Sequence, residues 1–142
     1  MKVYLGADHR GFQLKEYVQK YLSGKYEVFD LGDIKYDADD DYPDFAKKVA
    51  EKISKNPDDR GILVCGSGAG VAIVANKFRR VRAATVHDVK QAFMARNDED
   101  INVLALPANF IDAGVAQKIV DVFLTTPFST EVRHRRRVKK IE

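Results

Sequence analysis

Residues 61–77, GILVCGSGAGVAIVANK, decide the fold of this chain. The first five form an apolar run typical of a buried strand, and the last eleven carry apolar residues at helical spacing. Where the two segments join, the glycine-rich stretch CGSGAG (65–70) lets the backbone turn from strand into helix. Such a unit is the building block of a parallel sheet covered by helices. The single cysteine, Cys65, ends the strand, so it is either a core residue or a reactive thiol at the mouth of the turn.

The rest of the chain repeats this alternation of strand and helix. The patterns predict further strands at residues 2–7, 26–32, 81–86 and 101–106, and further helices at residues 12–22, 43–54, 88–97, 112–126 and 129–141. Right-handed crossovers between parallel strands place helices on both faces of a sheet. We therefore expect one three-layer α/β domain, residues 1–142, with a five-stranded parallel sheet in the order 2-1-3-4-5 and a helix at the C-terminus.

Composition excludes several classes of protein. The 142 residues are 45% hydrophobic and 32% charged, which is typical of a soluble globular domain. No apolar run is long enough to span a membrane, and the N-terminal residues lack the features of a secretion signal. A single cysteine permits no internal disulfide, as is usual in a reducing compartment. We expect a cytoplasmic protein with no membrane contact.

The positive charge is concentrated at one end of the chain. The segment RHRRRVKK (133–140) holds six of the 24 Lys and Arg residues, so 18 remain against 21 Asp and Glu. A nucleic-acid-binding protein usually spreads basic and aromatic residues over a whole face. We therefore expect no nucleic-acid partner, and the basic segment requires another explanation.

Two polar loops are predicted to meet in one crevice. In open parallel sheets, ligands bind beyond the carboxyl ends of the strands, where the strand order reverses. With the expected order this point lies between strands 1 and 3, beside the loops GADHRG (6–11) and CGSGAG (65–70). Asp8 and His9 then lie at the crevice. His9 is therefore a better candidate for a ligand-binding residue than His87, which follows strand 4.

The glycine turn and the thiol suggest one kind of chemistry. Amides exposed by glycines can stabilise an anion, and a thiolate beside them can remove a proton α to a carbonyl while the amides hold the enediolate oxygen. The alternatives are a tight structural turn with a core cysteine, or a nucleotide cofactor site. Val71 stands where the third glycine of a dinucleotide fingerprint belongs, so we expect no nucleotide. The acidic stretch DADDDYPD (37–44) lacks calcium-loop spacing and suits a helix N-terminus, so we expect no metal.

The basic C-terminal segment contains a candidate phosphate site. Arg133 and Arg137 are four residues apart and share one face of the predicted helix, with His134 beside Arg133. Paired guanidinium groups match the geometry of a phosphate. A solvated basic face is the alternative interpretation.

Taken together in order, these motifs resemble one family over essentially the whole chain. They are GADHRGF near the start, DYP before the second helix, CGSGAG followed by ANK, then NVLAL and a closing RHRRRV. The chain is similar to the ribose-5-phosphate isomerase type B and galactose-6-phosphate isomerase family. The resemblance implies a flavodoxin-like, Rossmann-like fold that isomerises a sugar phosphate without metal or cofactor. It also implies a homodimer with active sites at the subunit interface, and leaves pairing into a tetramer open.

The resemblance also assigns roles to individual residues. Cys65 becomes the base that moves a proton between the first two sugar carbons. Family members without this cysteine use a glutamate at the place of Val71, so here Cys65 has no substitute. The enediolate would be held by Ser67 and the amides of Gly66, Gly68 and Gly70, the phosphate by His9, Arg133 and Arg137 with His134 close by, and the sugar by Asp8 and Tyr42.

Three positions depart from the family pattern. Asp98 stands where the family has the histidine that opens the sugar ring, Glu99 replaces an asparagine, and Asn109 replaces an arginine. A carboxylate at position 98 could still accept a hydroxyl proton from the ring, and Glu99 would contact the sugar. Three hypotheses stay open: an isomerase of ribose 5-phosphate, an isomerase of a six-carbon or amino sugar phosphate, and a sugar-phosphate-binding protein without turnover.

Overall fold

The computed structural model describes residues 1–141 as a sheet of five strands with six helices. The strands are β1 (Lys2–Ala7), β2 (Glu27–Asp30), β3 (Arg60–Cys65), β4 (Ala83–Thr85) and β5 (Val103–Pro107). The helices are α1 (Phe12–Leu22), α2 (Tyr42–Lys55), α3 (Ala69–Ala75), α4 (Val89–Glu99), α5 (Ala113–Thr125) and α6 (Val132–Val138). Among these residues, no helix is long and apolar enough to cross a membrane.

All strand pairs are parallel, as predicted, but the order is β2-β1-β3-β5-β4. The expected order 2-1-3-4-5 is therefore wrong in its last two strands. Every residue of β5 is buried, whereas β4 has three residues that are only half-buried. An inner strand of a parallel sheet must be apolar on both faces, and a short strand suits an edge. The apolar run of β5 thus belongs beside β3, and β4 closes the sheet.

Two apolar layers confirm the three-layer architecture. On one face of the sheet, α1 and α5 pack with α4 over strand residues such as Ile62 and Leu104. On the other face, α2 and α3 pack over strand residues such as Leu63 and Val103. Each face of the central strands is therefore covered, and polar side chains can gather only at the edges of the sheet.

Strand register aligns the carboxyl ends of the three central strands. Ala7 pairs with Val64, and Cys65 pairs with Pro107. The loops beyond them are joined as well, because the amides of Ala108 and Asn109 donate to the carbonyls of Cys65 and Gly66, each at 2.9 Å. The chain passes from β1 to one side in β2 and to the other side in β3, so the predicted switch point between strands 1 and 3 is confirmed.

The C-terminal helix is shorter than predicted. It covers Val132–Val138 instead of residues 129–141. Ser129 does not cap the helix directly; its hydroxyl accepts a hydrogen bond from the amide of Glu131 at 3.0 Å. The helix is anchored by two buried side chains, His134 and Val138. The remaining side chains of the helix face outward.

Candidate active site

An open cleft of about 420 Å³ lies at the carboxyl edge of the sheet, between the loops after β1, β3 and β5. We call it the Cys65 cleft. It is lined by Asp8, His9, Arg10, Asp40, Asp41, Tyr42, Cys65, Gly66, Ser67, Gly70 and Asn109. The two loops that the sequence predicts to meet, residues 6–11 and 65–70, therefore do share one crevice.

Cys65 lies at the base of this cleft and is 5% exposed. Its Sγ accepts a hydrogen bond from the amide of Gly68 at 3.1 Å. Gly68 has a φ of +75°, and a Cβ built there would lie 2.7 Å from Cγ2 of Thr85, so only glycine suits this position. An amide aimed at sulfur stabilises the negative charge that a thiolate carries.

The rest of the glycine turn forms one wall of the cleft. Ser67 is exposed, and its Oγ accepts a hydrogen bond from the amide of Ala69 at 3.3 Å. A Cβ on Gly70 would lie 2.7 Å from the ring of Tyr42. The absence of a side chain at position 70 thus lets Tyr42 close over the turn, and its phenol can reach a ligand bound above Cys65.

Asp8 and His9 form the opposite wall. Asp8 is 6% exposed, and its carboxylate accepts the amide of Gly11 at 3.0 Å, which holds the loop after β1 in shape. His9 Nδ1 lies 2.7 Å from Oδ1 of Asp40, and the His9 amide donates to the same oxygen at 2.9 Å. Two contacts to one carboxylate hold the imidazole in place at the cleft.

The contact with Asp40 also changes the charge of His9. The hydrogen bond to Asp40 raises the pKa of His9 above 6.5, and the charges of Asp8 and Asp40 add to this effect, against an opposing contribution from partial burial. His9 therefore keeps its positive charge to a higher pH than an ordinary histidine. A cation at this position is suited to bind an anionic group.

Three residues of the cleft, Arg10, Asp40 and Asp41, were not predicted from the sequence. Asp40 and Asp41 belong to the acidic stretch that was explained by the nearby helix N-terminus, and only the fold shows that Asp40 orients His9. Arg10 lies within GADHRG, but only Asp8 and His9 of that stretch were assigned a role. In contrast, Asn109 was noted as a departure from the family pattern, and it does line the cleft.

Five predicted residues lie elsewhere, and we call them the α4–α6 group: Asp98, Glu99, Arg133, His134 and Arg137. Asp98 and Glu99 end α4, just before the amino end of β5. Cys65 pairs with Pro107 at the carboxyl end of β5, so the length of that strand, roughly 13 Å, separates the two regions. None of the five residues lines the Cys65 cleft of the same protomer.

Three side chains of the α4–α6 group, those of Asp98, His134 and Arg133, have a partner within 4 Å. His134 Nδ1 lies 3.5 Å from Oδ1 of Asp98, which also accepts a hydrogen bond from Asn97 at 2.7 Å. Arg133 is 62% exposed and lies 3.7 Å from an equally exposed Glu131 carboxylate. The side chain of Arg137 has no hydrogen bond or ion pair among the described residues. The two guanidinium groups face away from the body of their own chain.

Residues 1–141 contain no cluster of three or more His, Cys, Asp or Glu side chains suited to a metal ion. The groups that line the Cys65 cleft are a thiol, an imidazole, a hydroxyl, a phenol, three carboxylates, a guanidinium, a side-chain amide and the glycine backbone. Such groups move protons and bind oxygen atoms and anions. The arrangement thus favours acid–base chemistry on a small polar molecule.

A parallel α/β domain with a thiol, an oriented histidine and a glycine turn at the switch point defines an enzyme-like site for a small anionic ligand. Comparison with protein families agrees with this class. The family model described as Ribose/Galactose Isomerase matches residues 3–141, and the chain belongs to this family.

Individual relatives are similar over nearly their full length. The ribose-5-phosphate isomerase B of Mycobacterium tuberculosis is 40% identical over 139 residues, 97% of this chain and 86% of that protein. Among solved structures, ribose-5-phosphate isomerase B from Mycoplasma genitalium, with bound ribulose-5-phosphate, is 45% identical and superimposes with a TM-score of 0.95 over 99% of this chain and 93% of that one. The enzyme from Thermotoga maritima is 46% identical, with a TM-score of 0.93 over 99% and 96%.

Proposed function

We propose that the protein is an aldose–ketose isomerase that interconverts ribose 5-phosphate and ribulose 5-phosphate. The likeness to ribose-5-phosphate isomerases over the whole chain supports this activity, and one of those relatives holds ribulose-5-phosphate. The observation that carries the chemistry is the Gly68 amide, 3.1 Å from the Cys65 sulfur at the base of the cleft. The single cysteine suits a reducing compartment, so we place the reaction in the cytoplasm.

In this reaction Cys65 is the base. Its thiolate takes the proton from C2 of the open-chain aldose, and the electrons of that C–H bond form the C1–C2 double bond of an enediolate. Ser67 and the amides of the glycine turn stabilise the enediolate oxygen. Cys65 then returns the proton to C1, while the hydroxyl proton on O2 passes to O1, so that O1 becomes the C1 hydroxyl and the carbonyl forms at C2. No electron leaves the substrate, so the step balances without a redox partner.

Substrate binding uses both walls of the cleft. Asp8 and Tyr42 contact the sugar hydroxyls, and the charged His9 binds the phosphate. Arg133 and Arg137 project away from their own chain, as phosphate ligands of a second copy would. We infer a homodimer in which the α4–α6 group of one protomer completes the Cys65 cleft of its partner.

The ring-opening step falls to Asp98 in this scheme. Its carboxylate accepts the proton of the anomeric hydroxyl as the C1–O4 bond of the ring breaks, and the ring oxygen takes up a proton from solvent water. The imidazole of His134 lies beside this carboxylate, with Nδ1 3.5 Å from Oδ1 of Asp98. Glu99 contacts the sugar beside it. Two carboxylates here favour a sugar that carries hydrogen-bond donors and no second anionic group.

A substrate panel tests the proposal. Purified protein is assayed with ribose 5-phosphate, allose 6-phosphate and galactose 6-phosphate, with the Cys65→Ala variant prepared identically as a control for contaminating isomerases. We expect turnover of ribose 5-phosphate that Cys65→Ala lacks. Higher kcat/KM with a six-carbon sugar would mean that Asp98 and Glu99 redirect specificity. No turnover of any sugar, with ligands still raising the melting temperature, would favour the sugar-phosphate-binding alternative.

A further inference from the structure

Arg10 occupies a central position in the Cys65 cleft. It follows His9 in the loop after β1, is exposed, and lines the same cleft as Cys65 and Ser67. Its Cδ lies 2.9 Å from the point that a Cβ on Gly66 would occupy, so its aliphatic stem lies directly over the glycine turn. The bare backbone of Gly66 is what makes room for this side chain.

The guanidinium of Arg10 has no partner among residues 1–141. Most other arginines near the sheet are engaged, such as Arg96, whose guanidinium binds the Asp100 carboxylate at 2.7 Å. Arg10 instead extends over the cleft with its five N–H donors free. Its charge acts on the neighbouring imidazole, because it opposes the rise in the pKa of His9 that the hydrogen bond to Asp40 causes.

The charge of the cleft makes this guanidinium important for an anionic ligand. Three carboxylates line the cleft, those of Asp8, Asp40 and Asp41, and Asp40 is already paired with His9. Within the described chain, Arg10 is the only Lys or Arg among the lining residues. Without it, three carboxylates would face a phosphate in the cleft against the single cation His9, which disfavours binding.

We propose that Arg10 is a phosphate-binding residue of the Cys65 cleft and that it determines the preference for phosphorylated over unphosphorylated sugars. The inference rests on the proposed function and names a specificity residue for it. A planar guanidinium binds two phosphate oxygens at once, and a pre-formed cleft wall holds it beside the imidazole of His9.

Asn109 supports this assignment by its position. Its Nδ2 also lies 2.9 Å from the point of a Cβ on Gly66, so the side chains of Arg10 and Asn109 converge above the same glycine. Asn109 is exposed and uncharged, and the space beside it is the space that Arg10 fills. A guanidinium at position 10 or at position 109 can therefore reach this part of the cleft. In this chain position 10, in the loop after β1, supplies it.

Steady-state kinetics with ribose 5-phosphate test the proposal. We expect Arg10→Ala to raise KM and the inhibition constant of inorganic phosphate roughly ten- to a hundred-fold, the effect of one charge-assisted hydrogen-bonded pair, with kcat changed much less. Arg10→Lys should recover part of the loss because the charge remains without the fork. The double variant Arg10→Ala with Asn109→Arg should lower both constants again by restoring a guanidinium at the same place. Lys47→Ala, an exposed lysine of α2 outside the cleft, is the matched control for loss of one positive charge.

The outcomes separate this inference from the proposed function. Unchanged constants in Arg10→Ala, or an equal loss in Lys47→Ala, would show that Arg10 is an ordinary surface arginine. If the wild-type protein turns over no sugar, the proposed function fails, and Arg10 is then tested by calorimetry. In that case Arg10→Ala must weaken binding of ribose 5-phosphate while the affinity for unphosphorylated ribose stays unchanged; equal binding of ribose 5-phosphate to wild type and variant would overturn the inference.

Discussion

The Cys65 cleft and the α4–α6 group differ in how they are held. The cleft is built from loops that follow three adjacent strands, and backbone hydrogen bonds of 2.9 Å tie the loops after β3 and β5 together. The α4–α6 group projects from two helix surfaces, where Arg133 and Arg137 are exposed. The sheet therefore pre-organises the groups of the cleft, whereas in the proposed dimer the two guanidinium groups would acquire their geometry only against the other protomer.

This difference indicates where each kind of substitution will act. Changes in the cleft alter the reacting atoms of one protomer. In the proposed dimer, changes in the α4–α6 group alter the residues that one protomer contributes to the cleft of the other. Chemistry and assembly can thus be separated experimentally, although both regions serve the same proposed reaction.

The largest expected effect is that of Cys65→Ala. Removal of a general base lowers kcat by roughly 10²- to 10⁴-fold, while ligand binding persists because the contacts with the phosphate remain. Kinetics with ribose 5-phosphate and calorimetry with inorganic phosphate measure the two quantities. Turnover near the wild-type rate would show that another residue is the base and would remove the chemical distinction between the two regions.

Arg137→Ala should weaken ribose 5-phosphate binding by roughly ten- to a hundred-fold, as expected for one guanidinium–phosphate pair. Its combination with Cys65→Ala tests whether the two regions meet across a dimer. When the two impaired variants are unfolded together and refolded, half of the dimers are mixed, and each mixed dimer has one intact site, so at a substrate concentration well below KM about a quarter of the wild-type activity should return. No recovery beyond that of either variant alone would mean that each protomer builds its own site.

A smaller effect is expected from the pair formed by His9 and Asp40. Since the folded-state pKa of His9 is raised above 6.5, the contact stabilises the folded protein fully below that pH, and this contribution is lost as the pH rises through the raised pKa. Asp40→Asn should lower the pKa of His9, so KM for ribose 5-phosphate should begin to rise at a lower pH than in the wild type. NMR titration of the imidazole follows the change directly, because the chain has only three histidines. An unchanged titration of His9 would show that Asp40 does not control its charge.

The smallest effect is predicted outside both regions. The hydroxyl of Tyr21 in α1 donates to the carboxylate of Asp121 in α5, with distances of 2.8 and 2.7 Å to its two oxygens. Tyr21→Phe should lower the free energy of unfolding by about 1 kcal/mol and leave kcat and KM unchanged. Urea denaturation measures the stability. A loss of activity in this variant would mean that the packing of α1 against α5 reaches the cleft.

The order of the last two strands could not be predicted from local sequence patterns. The hydrophobic period of each segment indicates whether it is a strand or a helix. Alternation of the two predicts a parallel sheet, because a helix that crosses between parallel strands does so with one handedness. Which strand becomes the edge depends on competition between β4 and β5 for the place beside β3. The strand that is buried on both faces takes the inner position. All five residues of β5 are buried, whereas the three residues of β4 are half-buried.

The site divides in the same way. The sequence by itself determined the switch-point loops, the Cys65 thiol on its glycine turn and the presence of His9, because each follows from a strand end and its adjoining turn. Only the tertiary structure decided that Asp40 orients His9, that Arg10 and Asn109 converge over Gly66, and that the α4–α6 group lies a strand length away from Cys65. Local sequence specifies the direction of a chain segment, whereas contacts between distant segments depend on how all layers pack at once.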